Sequence, residues 1–105
     1  MFYLINLLFY NKTGLQQKEN KMFWSNYTTV TRRNVKVTLP KQLVKEMKEN
    51  KVNFTVWKKE GQKNIVWLYR TNNGEYLGSL KKNLGVKSFK DGNPCNFKKS
   101  NLIFE

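Results

Sequence analysis

From Asn26 onward, no apolar or β-branched run lasts more than about six residues before Gly, Asn, Pro or a lysine cluster breaks it. That punctuation constrains the fold most, because strands average about five to six residues and helices about twice that. A chain interrupted this often builds short strands joined by tight turns. "NYTTVT" (26–31) is rich in β-branched and aromatic residues, and "RRN" (32–34) makes a basic break. "VKVTL" (35–39) alternates, with Val35, Val37 and Leu39 on one face and Lys36 and Thr38 on the other. Pro40 then opens a helix at a position where its missing N–H costs nothing. In "PKQLVKEMKEN", Leu43, Val44 and Met47 continue the face of Leu39, while Lys41, Lys45, Lys48 and Glu49 face water.

"VNFTVW" (52–57) alternates again, with Val52, Phe54 and Val56 inward and Asn53 and Thr55 outward. "KKEGQKN" (58–64) is a turn with Gly61 at positive φ, and "IVWLYR" (65–70) reads as a strand buried on both faces. "TNNGE" (71–75) carries Asn-Gly, a strong hairpin signal, and "EYLGS" returns as a strand. Ser79 caps a second short helix, Leu80 and Leu84 point inward, and Gly85 ends it in the left-handed conformation. Phe89 anchors a connection, "DGNP" turns the chain, and "CNF" and "NLIFE" form the last strands around "KKS". The fold class is mainly β with two short helices, and its turn spacing suits a closed or nearly closed barrel. The two halves share a loose order of strand, leucine, short basic helix and strand pair, as a duplicated unit would.

The charge needs a partner. Lys and Arg number 20 against 7 Asp and Glu, giving a formal charge of +13 on 105 residues. A compact domain with this balance repels itself, and nucleic-acid phosphate is the commonest reason to keep it. Aromatic residues make up 14% of the chain, which supplies a core and separates it from disordered basic tails. There is no histidine and one cysteine, Cys95, so neither an internal disulfide nor a Cys/His zinc cluster can form. The sparse acids make no general acid and base pair, and neither a phosphate loop nor a nucleophile elbow is present. The chain reads as no enzyme, with no cofactor and no metal.

Residues 1–21 read as an extension of the domain at 22–105. "MFYLINLLFY" is too short to span a bilayer and lacks the positive start and small-residue cleavage site of a signal peptide. The extension is either an appended segment or the product of a start upstream of Met22. Residues 11–21 are a polar linker. Phe54, Trp67, Tyr69, Phe89 and Phe97 are expected in the core, which leaves Tyr3, Tyr10, Phe23 and Trp24 as the candidates for exposed stacking surfaces.

The order of these elements carries a resemblance. Leu39, Pro40 and Lys41 open a helix after a strand; "FTVW", "KKEGQKN" and "IVWLY" follow, the last with Trp67. Then come Tyr76, Leu77, Gly78, Lys81 and Lys82, and after them Phe89, Gly92, Cys95 and Phe97 at the spacing of a known pattern. From about Tyr27 to Glu105 the chain resembles the plant B3 DNA-binding domain, most like its reproductive-meristem branch. It departs from the pattern in three places. Ser79 and Leu80 replace a Trp, Asn93 with Pro94 replaces an Asp, and the loop before Leu39 is short. The resemblance is to a degenerate member.

The resemblance implies an open seven-stranded pseudobarrel that lays two loops into the major groove of double-stranded DNA. It implies a transcription-regulatory role in the nucleus, with a homo- or hetero-dimer of related domains compatible with it. The first loop would be Thr31, Arg32, Arg33, Asn34 and Lys36; the second Arg70, Thr71, Asn72 and Asn73. These residue types suit base reading, since Arg bonds guanine O6 and N7 and Asn bonds adenine N6 and N7. Lys41, Lys45, Lys81 and Lys82 would contact phosphates, which position without specifying. Other readings stand beside it: an interaction module of this fold without sequence-specific DNA binding, a small basic secreted protein, and an intertwined bacterial swapped-hairpin regulator.

Overall fold

The computed structural model describes residues 22–105, so the expectations for residues 1–21, Tyr3 and Tyr10 among them, lie outside the described residues. Seven strands and two short α-helices follow one another among the described residues. β1 (Tyr27–Arg32) and β2 (Val35–Pro40) make an antiparallel hairpin, and α1 (Lys41–Glu49) leads to β3 (Val52–Trp57). β3, β4 (Ile65–Arg70) and β5 (Tyr76–Ser79) form an antiparallel meander. α2 (Leu80–Asn83) then leads to β6 (Val86–Phe89), which pairs with β7 (Leu102–Phe104) after a 3-10 turn at Lys99–Asn101.

The mainly β class with two short helices is thus as expected, but the strands lie in three separate sheets and no closed barrel forms. A parallel bridge links the backbone of the first sheet to the carboxy-terminal segment, and Lys99 N–H donates to the Tyr27 hydroxyl beside it. Thr38 N–H donates to Cys95 O and Phe97 N–H donates to Thr38 O, both at 2.9 Å. This replaces the expected strand at "CNF". Pro94 has no N–H to give a ladder, and neighbouring side chains take two more: Asn93 Oδ1 accepts from Cys95 N–H at 3.0 Å and Asn96 Oδ1 from Lys98 N–H at 3.3 Å. The seventh strand is instead β6, which the sequence reading treated as a connection.

The local chemistry of the helices is legible. Pro40 sits at the N-cap of α1 at φ −59°, and Ser79 Oγ accepts from Lys82 N–H at the start of α2. Leu39, Leu43 and Met47 are buried beside Val52, Phe54 and Val56 of β3, while Leu80 and Leu84 enter the core from the other side. Burying side chains of this size contributes about 1.5–3 kcal/mol each before entropy is counted.

Three expectations about burial fail. β4 is buried on one face only. Val66 and Leu68 are in the core, while Ile65, Trp67 and Tyr69 are half-buried. An antiparallel meander needs just one covered face, so the alternate residues look outward. Phe89, expected in the core, is half-buried and packs at its margin, 5.2 Å from Phe97 between ring centroids. Phe23 and Trp24 are not exposed platforms: they are 1% and 6% exposed, stacked edge to face, with Trp24 also against Phe104.

The 91–101 turn is stitched by polar side chains. Buried Asn101 accepts from Asp91 N–H and donates to Asp91 Oδ1, both at 2.9 Å, and to Asn96 O at 3.1 Å. Asn96 Nδ2 donates to Asp91 Oδ2, and Asn93 N–H to Asp91 Oδ1. The Asn96 amide first, then the Asn93 N–H and the Asn101 amide, hold the Asp91 carboxyl below its ordinary range. Burial pushes the Cys95 thiol above its own. No helix among the described residues is long and apolar enough to cross a membrane.

Candidate nucleic-acid interface

The β1–β2 hairpin closes with two residues, because Arg32 faces Val35 across the ladder. Arg33 and Asn34 therefore carry the whole turn, at φ 52° and 66°. Positive φ at both central positions is the geometry whose twist matches a hairpin, and Asn tolerates it far better than Arg does. Both side chains are exposed at the tip. Thr31 and Lys36 face each other on the outer side of the ladder and are exposed as well.

Arg32 is different, and the pleat explains why. It shares the inner face with Val30, Val35 and Val37, so its guanidinium crosses to β3. Nε donates to Phe54 O at 3.3 Å, Nη2 to Asn53 Oδ1 at 3.2 Å, and Nη1 to Thr31 O at 3.3 Å. Its Cζ sits 4.5 Å from the Phe54 ring centroid, a cation–π contact. Three of its five N–H donors are thereby committed within the chain.

The second loop binds itself. Arg70 Nε lies 3.3 Å from Glu75 Oε1, an ion pair without hydrogen-bond alignment. Arg70 N–H donates to Glu75 O and Gly74 N–H to Arg70 O. Asn73 Oδ1 accepts from Glu75 N–H at 2.9 Å, and Thr71 donates through both N–H and Oγ1 to Lys51 O. Asn72 is exposed. The expected Asn-Gly hairpin forms between β4 and β5, closed by a loop with Gly74 at φ 74°.

The two loops meet at one strand. Asn53, which receives Arg32, is paired with Tyr69, and neighbouring Val52 is paired with Arg70. The amino-terminal end of β3 therefore holds both loops at the same end of the molecule. Lys41 and Lys45 lie on the outer face of α1, where Lys48 continues their row and Thr28 and Val44 complete a shallow depression of about 340 Å³. Lys48 was read as merely solvated, yet the i, i+4 and i+7 spacing of Lys41, Lys45 and Lys48 already put the three side by side. Lys81 and Lys82 are exposed on α2, which packs against other strands, so the four lysines form two groups.

A further set of side chains escaped the sequence reading. Trp57 and Tyr76 are 48% and 63% exposed on the outer face of the meander, next to half-buried Trp67 and Tyr69. The signal was present: the alternation that sends Asn53 and Thr55 outward sends Trp57 the same way. Comparison with protein-family models, with curated proteins and with solved structures finds no match to this chain.

Proposed function

We propose that residues 22–105 are a domain of the plant B3 type, an open pseudobarrel that binds double-stranded DNA and regulates transcription in the nucleus. The observation that carries the reading is the convergence of the 31–36 and 70–75 loops on the start of β3. Two loops held by one strand, the first basic and the second rich in Asn, are the arrangement needed to embrace a groove. Arg33 and Asn34 read bases, Thr31 and Lys36 flank them, and Asn72 approaches from the second loop. Lys41, Lys45 and Lys48 sit on phosphates, as do Lys81 and Lys82, and the +13 charge supplies the long-range attraction.

The test is binding of the full chain to random-sequence duplex across salt. With about six phosphates neutralised, log affinity falls against log salt with a slope near −5. A flat response rules the reading out. Sequence preference is then compared between Arg33→Ala/Asn34→Ala and Lys58→Ala/Lys59→Ala chains; equal losses reject the assignment of the tip as reader.

A second reading has its own observation. Arg32, Arg70, Thr71 and Asn73, four of the candidate base readers, engage polar side-chain atoms within the protein. A module of this fold that interacts without reading sequence would look the same. It gives the same salt slope with no preference among duplexes, or no duplex binding at all.

A further inference from the structure

The outer face of the meander is unusually aromatic for a surface open to water. Trp57, Trp67 and Tyr76 alone line a depression of about 310 Å³. Tyr76 stands edge to face against Trp67 at 6.4 Å and against Tyr69 at 6.3 Å. Large apolar side chains gathered on a solvent face mark a binding surface more often than chance.

What lies beside this patch decides its occupant. Trp67 also forms a wall of a second, larger groove of about 530 Å³, whose lining includes Lys63, Lys81, Asn64, Ser79 and Ser88. Trp67 is thus shared by an aromatic slot and a larger, mainly apolar groove that carries Lys63 and Lys81 among its lining. Lys63 Nζ donates to Gly92 O at 2.8 Å, which fixes its ammonium at the rim with donors to spare. Lys81 Nζ stands 6.0 Å from the Phe89 ring centroid in the same groove. Lys58 and Lys59 follow Trp57 directly and are exposed. Flat rings for bases beside ammonium groups for a backbone are the components of a single-strand binding surface.

We infer that the outer face of β3–β4–β5 is a binding site for unpaired nucleic acid. Bases stack on Trp57, Trp67 and Tyr76, and the phosphate backbone runs along Lys81 and Lys63. The site is separate from the β1–β2 tip, shares Lys81 with the proposed duplex surface, and does not depend on base reading by the tip. A duplex hides its base faces, so this surface selects single strands, and stacking makes it tolerant of sequence. A second copy of the chain suits it less, because a chain of charge +13 repels its own copy.

The experiment titrates the full chain with labelled 12-mers of oligo(dT) and oligo(U), reading anisotropy and tryptophan fluorescence. Saturable binding with quenched tryptophan emission is expected. The pair of probes shows whether DNA or RNA is preferred. Trp57→Ala and Tyr76→Ala, both at exposed positions, each weaken binding about 5- to 150-fold, the range for losing one stacked base. Neither changes duplex affinity or the melting temperature appreciably. Tyr76→Leu keeps apolar area but no π face and fails like Tyr76→Ala, whereas Tyr76→Phe restores binding. Loss of duplex binding by Arg33→Ala with oligo(dT) binding intact separates the two sites. The proposal is overturned if the alanine variants bind the 12-mers as the parent does, or if Tyr76→Leu binds normally. It is equally overturned if sedimentation shows a dimer that Tyr76→Ala dissociates, which would make the face a contact between copies.

Discussion

The two loops at the end of β3 are built by opposite means. The 33–34 turn is closed by backbone conformation alone, with two non-glycine residues at positive φ and their side chains left to solvent. The 70–75 loop adds side chains to its backbone bonds, through the Arg70–Glu75 pair and the Asn73 bond to Glu75 N–H. A loop that holds itself through side chains has fewer of them to offer a ligand. The first loop carries strain and keeps its recognition groups, while the second is settled and spends them. The lesson is that residue type alone does not identify a reader; its prior commitments decide.

Arg32 and Arg33, adjacent in sequence, give the sharpest break of that comparison. Arg32→Ala removes bonds to Phe54 O and Asn53 Oδ1 together with the ring contact, and should cost about 2 kcal/mol in urea unfolding. Arg33→Ala should remain within about 0.5 kcal/mol of the parent and weaken duplex binding instead. Equal destabilisation by both would end the distinction. Replacing the tip by its preferred pair, Arg33→Asn with Asn34→Gly, should stabilise the fold by about 1 kcal/mol. The same chain should lose duplex affinity and about one unit of salt slope. A gain in both would show that the tip is a turn and nothing more.

In the second loop, Asn73→Ala should cost about 0.5–1 kcal/mol by losing its turn bond, while Asn72→Ala leaves stability unchanged. If Asn72→Ala also leaves DNA binding unchanged, the loop is a structural hairpin. The smallest effect lies in the 91–101 turn, which is stitched like the second loop. Asp91 has a lowered folded-state pKa, so its contribution is present above the ordinary aspartate range and disappears as pH falls through the lowered value. Asp91→Asn should flatten the acid limb of a melting-temperature profile by lowering its neutral plateau slightly, because an amide cannot accept every bond that the carboxylate takes from Asn96, Asn93 and Asn101.

Most strands were legible because one face of each is covered, which imposes period-two alternation on "VKVTL" and "VNFTVW". Helix limits were legible at Pro40 and Ser79 because capping is local chemistry. The failures were non-local. "IVWLYR" is apolar throughout, and sequence cannot say that one of its faces stays open; only the neighbours of β4 decide that. "CNF" looks extended, yet its backbone is claimed by Asn93 and by Thr38, more than fifty residues away. The internal bonds of Arg32 were hidden because its partner Asn53 lies on another sheet. Of the candidate site, the tip was visible as "RRN" and the lysine row as a helical spacing, whereas the aromatic face was hidden behind a wrong burial assignment.

The bond from Thr38 to Cys95 and Phe97 also orders events during synthesis. The first hairpin and α1 emerge early, but the backbone of Thr38 has no partner on that side until Cys95 and Phe97 have left the ribosome. Val37 and Leu39, fully covered in the finished protein, wait for them with part of their apolar surface still in water. The nascent chain therefore passes through a long interval in which its earliest-made sheet is its least protected one.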